Sequence, residues 1–340
     1  MGEEPVVART AFVLGKPIKN PADFYGREKL LARLYEHILA MQPVSVVGEH
    51  RCGNTSVLYQ LLNEDVRARH LTPAEDGGLA FAFISSQLAS ESRAAFFRRV
   101  GLAVRRADPD AVVGDGPARD HVWMEGYLEG LRDRGRRLVL LLDEVELLAG
   151  LGDDFWQWFE VVVAEYDLSV VASSRADLSQ YRGENEAAPA FFNLVRSEYL
   201  GSFSKATVEL FIKEKSEITD FDFTAVYDEL YDLAGRFPFY VQLAAAIVYL
   251  RAGGENRISE AQMAEVRKEF RMRTSSLFAD AWRKLPPEER DVLVRLERGA
   301  FKPGHETVSA KEALEALERR GYVVDGAIFS SVFAEFVAAQ

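Results

Sequence analysis

The sequence predicts an α/β domain built on a doubly wound parallel sheet, followed by an all-α segment and a small C-terminal domain of short helices with one hairpin. Three observations carry this reading. Up to about residue 202, strand-sized apolar runs alternate with amphipathic helical stretches, the order of a parallel sheet covered on both faces. From Ser204 onward the strand signals vanish. Near the C-terminus, Asp325-Gly326 stands between apolar stretches, a two-residue hairpin signal.

Residues 1–24 contain Pro5, Pro17 and Pro21 and no sustained periodicity, so they are expected to form an extended arm on the following domain. From Gly26 to Leu39, Leu30, Leu31, Leu34 and Ile38 recur at helical spacing and make one apolar stripe. Pro43 stops that helix, and the β-branched run Val44-Ser45-Val46-Val47 is a buried strand entering Gly48. A loop runs to Gly53, and helical spacing resumes from Thr55 to Asn63. A second strand is expected over Leu79 to Ile84, a helix over Ala94 to Ala107, a loop over 108–120 holding Pro109, Gly114, Gly116 and Pro117, and a helix over Trp123 to Leu131. Leu138 to Leu142 is continuously apolar and ends in Asp143-Glu144, as a central parallel strand should. The fourth strand is Leu168 to Ala172, the fifth Glu198 to Leu200. Lys205 to Ile218, Phe223 to Ala234, Phe239 to Ala252 and Ser259 to Thr274 are expected helices, as are Glu288 to Arg298, Ser309 to Arg320 and Ser331 to Ala338 after Pro286-Pro287. The implied units are 1–24, 25–202, 203–277 and 278–340. Trp156 and Trp158, with Phe155 and Phe159, are spaced for core packing of the helix after the acidic strand.

Composition bounds the function. A chain of 340 residues with 48% apolar, 28% charged and 11% aromatic content can bury two or three cores and is neither disordered nor fibrous. One cysteine excludes a disulfide framework and a multi-cysteine zinc site. No apolar run approaches the roughly 20 residues of a membrane span, and Met1 to Pro5 offers no basic start to a secretory signal. A cytoplasmic protein without a membrane partner is expected. The 41 Lys and Arg against 53 Asp and Glu leave a net charge of −12, which argues against a general nucleic-acid coat and leaves room for a local basic patch.

The chemistry is concentrated in Gly48-Glu49-His50-Arg51-Cys52-Gly53-Asn54-Thr55-Ser56, which fits G-x-x-x-x-G-K-[ST] at every defined position except the lysine, where Asn54 stands. Such a loop aims successive amides at phosphate oxygens while the next helix adds its N-terminal dipole. Gly48, Arg51, Cys52, Gly53, Asn54, Thr55 and Ser56 are therefore candidate nucleotide-binding residues. Thr55 would offer a hydroxyl to Mg²⁺, Asp143 would hold the metal's water shell, and Glu144 would orient and deprotonate the attacking water. His50 and Cys52 are expected to turn their side chains away from phosphate.

In this ordered combination the chain resembles AAA+/STAND-type P-loop ATPases of the prokaryotic kind that end in a winged helix. Phe24-Tyr25-Gly26-Arg27-Glu28 resembles the box that precedes the loop and covers adenine, implying roles for Tyr25 and Arg27. Ser173-Ser174-Arg175 resembles the sensor-1 region, with Ser174 as the candidate, and Gly235-Arg236-Phe237-Pro238 resembles the lid motif that brings Arg236 and Pro238 to the nucleotide. The resemblance also covers Phe278 to Phe336. It implies ATP or ADP with Mg²⁺ as ligands, and an unidentified protein partner or self-association. Arg175 and Arg196 are read as ordinary surface arginines rather than cations offered to a neighbour.

The leading reading is a nucleotide-binding switch or scaffold, which the resemblance places in signalling or defence, whose ATP hydrolysis is weak or absent because Asn54 cannot neutralise phosphate charge. Three alternatives stay open: an active ATPase in which Asn54 is compensated or a laboratory substitution, a nucleotide-free protein-interaction module, and a winged-helix DNA-binding initiator. From Pro286 to Gln340 seven basic residues face ten acidic ones, net −3, which argues against DNA.

Overall fold

The computed structural model describes residues 11–109, 120–181, 189–301 and 307–340. Residues 1–10 of the expected arm, and Gly114, Gly116 and Pro117 of the expected loop, lie outside them. The chain divides into two compact units, one of Pro17–Leu200 and one of Gly201–Gln340 joined by the N-terminal residues up to Lys16.

In the first unit the described residues form a five-stranded sheet of β1 (Val44–Val47), β2 (Leu79–Ser85), β3 (Arg137–Asp143), β4 (Ser169–Ser174) and β5 (Arg196–Tyr199). The order is β2-β3-β4-β1-β5, with every pairing parallel. The crossovers are helical: α1 (Glu28–Leu39) precedes β1, and α2 (Asn54–Leu62), α3 (Glu64–His70) and α4 (Pro73–Gly77) lead to β2. Helices α5 (Arg93–Ala107) and α6 (His121–Asp133) lead to β3, α7 (Asp153–Glu165) to β4, and α8 (Ala190–Leu194) to β5. β1 and β4 are buried at every residue, and so is β3 after Arg137, as expected for central strands with helices on both faces. Phe96, Phe155, Trp156, Phe159, Phe191 and Phe192 fill the space between the sheet and the α5, α7 and α8 side, which confirms Trp156 as a core residue. Each such ring, fully withdrawn from water, contributes on the order of 2 kcal/mol or more.

Because the strands are parallel, their C-terminal ends emerge together. β4 lies between β1 and β3, so the loop after β1 faces the acidic end of β3 across the tip of β4. The chain leaves β1 for β2 at the far edge and later returns to β5 on β1's other side, which makes β1 the switch point where α/β sheets bind ligands.

The second unit is helical: α9 (Lys205–Thr219), α10 (Tyr227–Ala234), α11 (Pro238–Ala252) and α12 (Glu260–Lys284), then α13 (Pro287–Glu297), α14 (Val308–Arg320), the hairpin β6 (Val323–Val324) and β7 (Ala327–Ile328), and α15 (Ser331–Ala338). The hairpin turns through Asp325 and Gly326, both at positive φ, as a two-residue turn demands. The division expected at 277/278 falls inside α12, which runs unbroken for 25 residues. No glycine or proline interrupts residues 260–284, a Ser259–Gln262 capping box starts the helix, and Leu285-Pro286 ends it. The expected arm also divides: Val13 donates its amide to Gln242 Oε1 of the second unit, whereas Ile18 donates to Ser56 Oγ of the first.

Candidate functional site

The loop after β1 is shaped by Gly48 and by residue 54. A Cβ on Gly48 would stand 2.3 Å from Asn54 Oδ1 and 3.0 Å from Leu200 Cβ, so only glycine fits there. The loop closes with a bond from the Cys52 amide to the Glu49 carbonyl (3.0 Å) and turns through Arg51 and Gly53, at φ 69° and 103°. No side chain caps α2 at Gly53, so the helix opens directly onto the loop.

Asn54 does not face the loop's mouth. Its Nδ2 donates to the carbonyls of Gly48 (2.7 Å) and Ser174 (3.2 Å), and its Oδ1 is buried with no hydrogen-bond partner among the described residues. The amide therefore ties the base of the loop to the tip of β4. Ser56 is likewise turned inward, accepting the Ile18 amide at 3.0 Å. Cys52 is buried, and burial, reinforced by the charge of Glu49, pushes its thiol up to about 12, so it packs as an unreactive apolar group.

Thr55, next in the helix, points the other way. Its hydroxyl donates to the Asp143 carboxylate, 3.0 and 3.1 Å from the two oxygens. Ser173 Oγ donates to Asp143 Oδ1 at 2.7 Å and accepts the Glu144 amide at 3.0 Å. The serine facing the acidic pair is thus Ser173, not Ser174. Ser174 is the next residue along β4 and faces the opposite side, where its hydroxyl lies 2.9 Å from Ser45 Oγ and donates to the Ala176 carbonyl at 2.8 Å. Burial raises the Asp143 pKa against the lowering effect of the Ser173 and Thr55 hydroxyls, and neighbouring Glu144 adds to the rise. A carboxylate and a hydroxyl side by side, partly desolvated, are the hard oxygen donors that suit Mg²⁺, which keeps several waters of its own. Thr55 and Asp143 are the residues that would hold it.

Glu144 follows at φ 56°, a left-handed conformation that swings its side chain off the strand axis. Oε1 accepts Arg175 Nη2 at 2.6 Å and Oε2 accepts Gln87 Nε2 at 2.5 Å. Burial pushes the Glu144 pKa up, but the bonds from Arg175 and Gln87 outweigh it and the net shift is downward. Arg175 is therefore no ordinary surface arginine: it also stands 3.7 Å, from Nε, from Glu146. Sequence reasoning missed Gln87 and Glu146. Gln87 follows β2 without a motif, and Glu146 becomes visible only once the turn after β3 folds it under Arg175.

Of the remaining candidates in this unit, Tyr25 is buried, and Arg27 lies beside Cys52 with its pKa lowered to about 10 by burial. Arg236 and Pro238 belong to the second unit. There Pro238 opens α11, and Arg236 Nη2 lies 3.7 Å from Asp325 of the hairpin. Gly235 is required by close approach, since a Cβ would meet the Phe329 carbonyl oxygen at 2.1 Å.

The chain has structural counterparts among solved proteins. The Walker-type ATPase PABY2304 of Pyrococcus abyssi is similar over 95% of this chain and 98% of its own, with a TM-score of 0.61 and 14% identity. The fold is that of AAA+ P-loop proteins. The ORC2 protein of Aeropyrum pernix, solved in ADPNP-ADP complexes, shares the AAA+ fold over 97% of this chain and 98% of its own (TM-score 0.55, 13% identity). Drosophila ORC bound to DNA shares it over 92% and 77% (TM-score 0.51, 14% identity). No protein-family model and no curated protein sequence matches the chain. Among the described residues no helix is long and apolar enough to cross a membrane.

Proposed function

We propose that the chain is an adenine-nucleotide-binding AAA+ protein that acts as a regulatory switch or scaffold of the STAND type, with ATP hydrolysis weak or absent. The observation that carries the reading is the Thr55 hydroxyl on the Asp143 carboxylate, set at the mouth of an uncapped helix. That pair is a Mg²⁺ seat, and the helix end is an anion seat. The similar ORC2 structure in its ADPNP-ADP complexes supports the same ligand class. When bound, Mg²⁺ would neutralise phosphate charge and order the leaving group. The chain's own part is to supply the Thr55 and Asp143 oxygens, to hold Asp143 with Ser173, and to present Glu144 as the base.

Impaired hydrolysis follows from Asn54. A lysine there would set a unit charge against the β/γ-phosphates, worth on the order of 4 kcal/mol at 4 Å in a partly screened site. The Asn54 amide has no charge, and its donor is already spent on two carbonyls. ATP, with the larger negative charge, loses more than ADP, so the two nucleotides should bind with similar affinity. Isothermal titration with ATP and ADP, with and without Mg²⁺, tests the reading. Binding of both, tightened by Mg²⁺ and weakened by Thr55→Val, is expected. No heat and no thermal shift at millimolar nucleotide would leave a nucleotide-free interaction module. The likeness to Drosophila ORC bound to DNA favours a second reading, DNA binding through the C-terminal domain. Against it stands the net −3 of residues 286–340, in which Arg320 is already taken up by buried Glu289.

A further inference from the structure

Glu146 is a charged group that the proposed chemistry does not use. Its side chain is only 8% exposed, yet among the described residues neither carboxylate oxygen has a well-formed hydrogen bond; the nearby amides of Glu146 itself and of Arg175 offset its desolvation only in part. Buried carboxylates are normally hydrogen-bonded, so one held only by a 3.7 Å ion pair calls for a reason. The cation is Arg175, whose guanidinium already serves Glu144 through Nη2 at 2.6 Å while its Nε stands 3.7 Å from Glu146 Oε1. Closing that gap by about 1 Å would make a charge-assisted bond of ordinary length. Arg175 therefore stands between two acceptors, one engaged and one in reserve.

We infer that Arg175 is a two-position clasp, held by Glu144 in the conformation seen here and by Glu146 in a second one, and that transfer to Glu146 releases Glu144 to act on water. The inference rests on reading Asp143-Glu144 as the hydrolytic pair. In the first position both Glu144 oxygens are occupied, by Arg175 and Gln87, and a carboxylate so engaged is a poor base. In the second, Oε1 is free and Gln87 still orients the group through Oε2. Glu146 is thus a positioning residue, acting through Arg175.

Among the described residues, the charged and titratable groups facing Glu146 are Arg175, Glu144 and Tyr181. Arg175 favours its ionised form and Glu144 opposes it; Tyr181 stays neutral, its own pKa raised to about 12 by burial first and by Glu146 second. Burial pushes the Glu146 carboxyl up to about 7, so near neutral pH it passes between a form that cannot hold Arg175 and one that can. The clasp is thereby sensitive to pH as well as to any ligand that draws Arg175 away.

The test follows Arg175 directly in the full chain. In deuterated protein with ¹⁵N-arginine, the Nε–Hε resonance missing from Arg175→Lys is titrated from mildly acidic to mildly alkaline pH. The expected result is a shift with a midpoint close to 7, abolished in Glu146→Gln, which should keep the acid-side position throughout. Where turnover is measurable, Glu146→Gln should lower kcat by about tenfold with KM unchanged. An Arg175 resonance that does not titrate, or that titrates identically in Glu146→Gln, overturns the clasp. The arginine titration is read in nucleotide-free protein, so a separate nucleotide titration judges the site reading independently of it.

Discussion

Replacing Glu146 by Gln should stabilise the protein at alkaline pH and leave it almost unchanged in acid. Among the described residues the carboxyl is buried without a well-formed hydrogen bond, and burial raises its pKa from 4.5 to about 7. In the unfolded chain it ionises at the ordinary value. Between those two values the folded state holds a proton that the unfolded state has lost, so stability falls as pH rises through the window. Below 4.5 both states are protonated and the contribution is fully present; above 7 it is lost. A rise from 4.5 to about 7, at 1.36 kcal/mol per pKa unit, corresponds to about 3 kcal/mol. Glutamine has the shape of the protonated acid and no charge to desolvate, so it should recover that amount above neutrality. Urea unfolding of wild type and Glu146→Gln at an acidic and an alkaline pH measures it. Equal effects at the two pH values, or a loss of stability at the alkaline one, would refute the argument from burial.

Asn54→Lys should raise ATP hydrolysis by at least about tenfold, because one ammonium near the β/γ-phosphates favours the transition state over bound ADP; ATP binding with turnover still at background would place the lesion elsewhere. Arg320→Ala should cost about 3 kcal/mol in thermal or urea unfolding, since it leaves Glu289 buried without its cation. A short DNA duplex at physiological salt should not bind with sub-micromolar affinity, and tight binding that Arg319→Glu weakens would promote the initiator reading. That test uses Arg319 because a charge reversal at Arg320 would damage the fold.

Much of the architecture was legible because its signals are local. The run Leu138 to Leu142 could only be a central strand, the loop from Gly48 to Gly53 carries its own spacing, and Asp325-Gly326 marks its own turn. Side-chain direction was less legible. Ser173 and Ser174 are alike in composition, and which one meets Asp143 depends on where β4 ends, two residues later than the apolar run implied. The sequence carries no breaker residue near 277/278, and α12 runs unbroken through that point from Glu260 to Lys284. Arg175 and Glu146 are far from Gln87 in sequence, and only the parallel pairing of β2, β3 and β4 brings the turns after these strands together.

The position of Asn54 bears on whether it is a defect or a part. The tip of β4 makes two sets of contacts: Ser173 holds Asp143 and the Glu144 amide on one side, and the Ser174 carbonyl accepts both the Gly48 amide (3.0 Å) and the Asn54 amide on the other. Asn54 therefore links the loop after β1 to the strand that orients the acidic pair through one hydrogen bond, to the Ser174 carbonyl, and closes the loop on itself through a second, to the Gly48 carbonyl, each worth about 1 kcal/mol. A lysine reaching for phosphate would give up that link, leaving the loop joined to β4 by the Gly48 amide. In the proposed reading, the residue that lacks a lysine's charge is also the one that braces the loop against the acidic strand end. A braced loop with an uncharged position 54 suits a protein that holds nucleotide for long periods better than one that turns it over, which is the behaviour a switch or scaffold requires.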